Sequence, residues 1–404
     1  MKKNLGFAYI QNLRVPSEKA HSVYIVKVCE AAQKLGAHTV CILPRRKQPS
    51  YFTHTSLWDY YGIPKGSFKM QRINSPSLLE LPVLVEAIIG WFKHQLATLL
   101  FALKSWAYCL RNKTEIIETS DIEVAIVFVL LSLFYHPKII LDIHIDPSDK
   151  SIFNYFYKKI DLLVVNCIYY KEFFLKRGIK AENIFVAPNG FDPKNYFSKK
   201  SKLTLRKKIN LPENRFIVGY IGRFETMGVE KGVYKLIKVA SNIKNKSPEI
   251  PLTIVAVGGP EELKIQYQEY AAKLGLNESE YLIHSQVNPN QVSDYIFSFD
   301  VAWMVYPDNE RFRNRISPMK AIEYVAAGKP VIASNFPSIT QLKESKFMHL
   351  VDPENENELV DAVVSVYQNY DKEMKVMKRA KSRILDYSWE KRQKKIFKSV
   401  NASV

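Results

Sequence analysis

Ser317-Pro-Met-Lys-Ala-Ile-Glu323-Tyr-Val-Ala-Ala-Gly328-Lys-Pro330-Val-Ile-Ala-Ser334 decides how the chain is read. Ser317 suits an N-cap and Pro318 the first helical position, so a helix starts here with backbone N–H groups turned toward an anion. The helix then exits into Val331–Ala333, an apolar run of strand type. Glu323 stands on a helix otherwise lined with Ala, Ile, Tyr and Val. A carboxylate so placed suits a bidentate grip on the two hydroxyls of a ribose, and an exposed helix Glu is the plain alternative.

Working outward, the same cadence recurs. Leu5–Ile10 is apolar, a polar loop spans Gln11–Ser17, and Glu18–Leu35 has helical spacing with Gly36 as its C-cap. Apolar runs follow at His38–Leu43, Lys138–His144, Leu162–Asn166 and Ile184–Pro188. Their near-continuous Val, Ile and Leu content fits parallel strands buried on both faces. The stretch Asn195–Asn210 turns polar and basic, and the rhythm then restarts. Strands are expected at Phe216–Gly222, Leu252–Gly258, Tyr281–Ile283 and Val301–Val305, with helices at Gly232–Ile243, Glu261–Leu274, Gln291–Ser298 and Pro318–Ala327. The expected class is α/β: two doubly wound Rossmann-like domains facing across a cleft. Residues 1–194 would form the first, 195–212 a linker and 213–386 the second, with a last helix at about 387–404 packing back on the first. Ligands in such sheets bind at the carboxyl ends of the strands.

Length and composition exclude other classes. The chain has 404 residues, 47% of them apolar and 12% aromatic, too many for a disordered polycation. Cys29, Cys41, Cys109 and Cys167 form no CxxC pair, which argues against a zinc framework and fits a reducing compartment. Leu78–Leu110 is interrupted by Glu80, Glu86, Lys93 and Lys104, and the uncharged Val124–Pro137 is shorter than the ~20 residues of a spanning helix. Both are read as buried helices. Trp91, Phe92, Trp106 and Tyr108 beside Lys93, Lys104, Arg111 and Lys113 give the first an alternative in a membrane headgroup layer. The net charge of +18 calls for an acidic partner: nucleic acid, a phosphorylated small molecule or anionic lipid.

Gly219-Tyr-Ile-Gly222-Arg223 ends an expected strand, and Lys231-Gly232 opens an expected helix eight residues later. Glycine lets the backbone come close to a ligand, and Arg offers a planar fork of donors. Lys231 would add its charge to free N–H groups at the helix start. Two converging cations can hold a diphosphate and stabilise its charge as it leaves.

With these motifs in order, the chain resembles glycosyltransferases of the GT-B fold, close to the retaining family 4. Further matches are Arg14-Val-Pro16-Ser17-Glu18-Lys19-Ala20-His21 in the first loop, Asp142-Ile-His144 at a strand end, Pro188-Asn-Gly-Phe-Asp192 before the linker, and Tyr387-Ser-Trp-Glu390 opening the last helix. The resemblance implies transfer of a sugar from a nucleotide diphosphate sugar to a glycan or lipid-linked acceptor, in cell-surface polysaccharide or glycolipid synthesis. It assigns Gly222, Arg223 and Lys231 to the diphosphate and Ser317, Pro318 and Met319 to backbone contacts near the phosphates or sugar. Glu323 falls to the ribose and His144 to the transferred sugar, while Pro16, Ser17 and His21 lie on the acceptor side.

Two departures stand out. Arg315 occupies the place of the first of two glutamates with seven residues between them, which in the family contacts the donor sugar. His284-Ser-Gln-Val287 stands where a glycine is common. No two Asp lie two apart, so the Asp-x-Asp metal element of other glycosyltransferases is missing, and neither a metal nor another cofactor is expected. The alternatives are a sugar-nucleotide epimerase of the same fold and a sugar-nucleotide-binding homologue without catalysis. A nucleic-acid partner is not expected, for the chain lacks helix-turn-helix, zinc and aromatic-basic RNA motifs. Of the basic excess, 12 cations against 3 acids fall in the first 72 residues, Arg45-Arg46-Lys47 among them. That bias suggests a cytoplasmic protein peripheral on an anionic membrane.

Overall fold

Apolar runs without alternation become the parallel strands of two sheets. A computed structural model describes residues 5–17, 20–49, 52, 56–74, 83–197 and 201–402, with the backbone alone for 20, 83–93, 401 and 402. Glu18, Lys19 and Glu80, and the side chains of Glu86, Trp91, Phe92 and Lys93, lie outside the described residues. The chain divides into two units, Met1–Pro188 with Trp389–Val404, and Asn189–Ser388.

The first unit holds β1 (Gly6–Ile10), β2 (His38–Pro44), β3 (Lys69–Ile73), β4 (Ile116–Thr119), β5 (Lys138–Ile143), β6 (Leu162–Val165) and β7 (Ile184–Val186). Their order is β3-β2-β1-β4-β5-β6-β7, all parallel. Phe7 and Tyr9 enter one core while Ala8 and Ile10 enter the other. A strand covered on both faces has no place for alternating polar residues. The helix Trp389–Ala402 belongs to this unit, with Phe397 edge-on to Phe7 at 5.2 Å and Trp389 edge-on to Tyr24 at 5.3 Å.

The second unit holds β8 (Phe216–Ile221), a hairpin of β9 (Glu225–Thr226) and β10 (Val229–Glu230), then β11 (Leu252–Gly258), β12 (Tyr281–Ser285), β13 (Val301–Met304), β14 (Val331–Ser334) and β15 (His349–Val351). The six-stranded order is β12-β11-β8-β13-β14-β15. In both sheets the strand order reverses beside the first strand, at β1/β4 and at β8/β13, where a doubly wound sheet opens a crevice for ligands.

The basic stretch expected as a linker is part of the second unit. It forms the helix Lys202–Lys208, which buries Leu205 and Arg206. The two apolar stretches read as buried helices are buried on one side only. Val124, Ala125, Val127 and Phe128 of the helix Ile122–Leu130 are buried, but Leu130, Leu133 and Phe134 face solvent. The helix Val83–Arg111 likewise exposes Leu96, Leu99, Leu103 and Leu110. Among the described residues, no helix is long and apolar enough to cross a membrane.

Candidate functional site

In the second unit the site grows from the end of β8. Gly222 has φ of 139°, a conformation open to glycine, and a Cβ there would strike the end of the Lys320 side chain. The eight-residue gap between Arg223 and Lys231 is taken up by the β9/β10 hairpin, closed by Lys231 N–H donating to the Phe224 carbonyl at 2.8 Å. The two motif cations therefore leave the neck of one hairpin. Burial first, then repulsion from Lys320, Arg223 and Arg311, pushes the Lys231 ammonium down to about 6. Burial likewise lowers Lys320 to about 8, against the pull of Glu323. Among the described residues, neither Arg223, Lys231 nor Lys320 forms an ion pair. A group of cations at a sheet switch point suits an anion.

Lys320 is the group that sequence reasoning passed over. Its signal lay inside the opening motif, one residue after Met319 and three before Glu323, where it reads as an ordinary helix lysine. Its position over the Tyr220 ring, 5.2 Å from the centroid, brings it to the end of β8.

Two expected helix starts are built differently. The N–H groups of Gly232 and Val233 donate to the Glu230 carboxylate at 2.7 and 2.6 Å, and the Tyr267 hydroxyl adds a third bond at 2.8 Å. The start of the helix Val233–Lys246 is thus capped by a carboxylate, and Lys231 works without a free helix terminus beside it. Ser317 is not an N-cap either. Pro318 holds that position without a side-chain cap, and the Ser317 hydroxyl accepts the Asn189 N–H at 3.0 Å. Met319 begins the helix, its N–H bonded to the Ser317 carbonyl at 2.9 Å.

Glu323 is half-buried, and burial raises its carboxyl although the Tyr196 hydroxyl and Lys320 oppose the shift. Arg315 pairs with Glu310. His284 and Ser285 belong to β12 itself, and His284 Nδ1 lies 3.1 Å from the Tyr295 hydroxyl.

The first unit gathers a second polar group at the ends of β4 and β5. Asp142 is fully buried, receives the Tyr24 hydroxyl, and lies 3.2 Å from Arg392 Nη2 and 3.3 Å from His144 Nε2. Burial pushes this carboxyl up, but His144 and Arg392 together hold it below its ordinary value. His21 lies tilted against His144 with ring centroids 5.4 Å apart, and burial, helped by His144, drives it down to about 4. Gln393 donates to the buried Glu118 at 2.7 Å. Arg392, Gln393, Glu118 and Tyr24 were not singled out from sequence, since residues so far apart in the chain carry no local motif.

Pro16 and Ser17, expected on an acceptor-side loop, are buried, and Ser17 N–H donates to the Tyr61 hydroxyl at 3.0 Å. Only half-buried His21 of the three has access to solvent.

Comparison with known proteins fits this geometry. Residues 201–383 match the family of glycosyl transferases group 1. D-inositol 3-phosphate glycosyltransferase of Corynebacterium urealyticum is 24% identical over 196 residues, 47% of this chain and 44% of that one. The chain thus spans less than half the length of this curated relative. A glycosyltransferase from Rickettsia africae superposes with a TM-score of 0.74 at 16% identity, covering 100% of this chain and 99% of that one. Anabaena Alr3699/HepE, in complex with UDP and glucose, gives 0.70 at 15% identity over 98% and 100%. Residues 201–383 thus resemble a glycosyl transferases group 1 domain, and the chain has the GT-B fold.

Proposed function

We propose that the protein is a glycosyltransferase moving a sugar from a nucleotide diphosphate sugar to a glycan or lipid-linked acceptor. The meeting of Arg223, Lys231, Arg311 and Lys320 at the end of β8 carries the reading. Four basic groups gathered at one strand end suit a diphosphate in the ground state and its added charge on departure. In this reading Gly222 admits the phosphates, the turn of Ser317, Pro318 and Met319 lies beside them although the Met319 N–H is bonded to Ser317, and Glu323 takes the ribose hydroxyls. His144, held by Asp142, serves beside the transferred sugar, with His21 on the acceptor side. The side chains supply the positive charge, so the reaction proceeds without a metal, and the family resemblance supports retention. The setting is cell-surface polysaccharide or glycolipid synthesis, with the basic first unit at an anionic membrane in the cytoplasm.

A thermal-shift series tests the donor site. Since HepE is in complex with UDP, uridine diphosphate and its sugars come first, then the guanosine and adenosine series. At 100 times its Kd the matching nucleotide adds about 2.7 kcal/mol of stability. No shift from any nucleoside diphosphate would overturn the assignment.

A further inference from the structure

The helix Val83–Arg111 exposes a surface that the fold does not use. Leu96, Leu99, Leu103 and Leu110 are 48, 46, 37 and 38% exposed. At about 100° per residue they fall within an arc of about 60°, which makes them one stripe rather than scattered contacts. The helix Ile122–Leu130 packs alongside and ends at Leu130, and Leu133 and Phe134 follow in the turn beyond it; the three are exposed by 60, 85 and 73%. The following turn is tied to the first helix. The Tyr135 hydroxyl donates to the Thr114 carbonyl, and Leu110, Lys113, Tyr135 and His136 line one cavity.

The charge around this surface is mostly positive, with Glu115 on the shared cavity and exposed Glu123 as the nearby acids. Residues 87–114 contain Lys93, Lys104, Arg111 and Lys113 with no Asp or Glu, and residues 124–141 contain Lys138 with none. Lys104, Arg111 and Lys113 are exposed, while Lys138 is paired with Asp161 at 2.9 Å. Helical geometry sets Lys104 and Arg111 along one edge of the leucine stripe. Apolar side chains bordered by unopposed cations match a surface that is hydrocarbon beneath and phosphate above.

We propose that this stripe, with Leu133 and Phe134, lies in the headgroup layer of an anionic bilayer, its leucines at the acyl boundary and Lys104, Arg111 and Lys113 against lipid phosphates. The inference rests on the membrane-surface reading above and names the face that meets it. The protein stays peripheral, consistent with the absence of a spanning helix among the described residues.

Flotation of the whole chain with vesicles of equal phosphatidylglycerol and phosphatidylcholine provides the test. Wild type floats with these vesicles and much less with phosphatidylcholine alone. Replacing Leu99, Leu103, Leu133 and Phe134 together by Gln lowers the bound fraction at least tenfold, with the thermal shift by nucleotide unchanged. A variant that floats like wild type overturns the inference. If only Arg45→Gln, Arg46→Gln and Lys47→Gln together abolish flotation, the membrane reading stands and this face falls. Should wild type fail to float, both fall. Loss of self-association in the leucine variant with flotation intact assigns the stripe to a second copy and overturns the proposal.

Discussion

Replacing Lys231 by Ala lowers kcat for sugar transfer by about 10²–10³-fold, as removal of a preorganised charge from the leaving group should. The lysine sits half-buried beside Arg223, Arg311 and Lys320, and its ammonium is driven down to about 6 by burial and their repulsion. A diphosphate offsets both causes, because it brings negative charge to the cluster. Lys231 must then take up a proton on binding. Only the protonated lysine binds tightly, so affinity is level below about pH 6 and falls as pH rises through that value toward the higher value in the complex. Titration calorimetry at pH 7.5 in buffers of different ionisation heat should show uptake approaching one proton per nucleotide. Uptake should shrink in Lys231→Ala, leaving a smaller share from Lys320. Unchanged turnover in Lys231→Ala, or zero uptake in wild type, would sink the role given to this cluster.

The sheets were legible because the chain writes buried parallel strands as Val and Ile runs. Leu252–Gly258 is a strand from end to end, and the expected Phe216–Gly222 stops one residue early at Ile221. What escaped was short or polar. β4 has four residues, one of them Glu118, and β3 reads Lys-Met-Gln-Arg-Ile, so neither offers an apolar run. The motif residues Gly222, Arg223, Lys231 and Glu323 could be named because each follows a local turn or helix signal. The chemistry around them could not. Glu230 lies one residue before Lys231, yet its capping of the next helix depends on the hairpin folding back. Arg392 and Asp142, 250 positions apart, meet only because the last helix returns to the first sheet.

The largest stability loss is expected at Arg206, within the stretch that its composition presents as a linker. This guanidinium is 1% exposed and donates to the Ser298, Glu213 and Arg215 carbonyls at 2.8, 3.0 and 3.0 Å, and to Asp300 Oδ2 at 2.6 Å. Arg206→Met keeps the stem but strips Asp300 of its buried cation, leaving it the Ile217 N–H at 2.7 Å, and leaves three carbonyls without their donor. Breaking a buried pair on one side costs about 3–5 kcal/mol, because the surviving charge has lost its compensation. Lys202 still reaches Asp300 Oδ1 at 2.6 Å, but from a half-buried position where water still screens part of its charge. Burial raises the Asp300 carboxyl, while Arg206 and Lys202 more than offset this and hold it below its ordinary value. The pair therefore contributes its stability above the unfolded carboxylate range and loses it as pH falls through the lower folded value. Urea titrations should show the Arg206→Met deficit in full at pH 7 and reduced in strong acid, where Asp300 takes a proton. A deficit below about 1 kcal/mol at pH 7 would place this ion pair among the weak surface contacts and return the segment to the role of a linker.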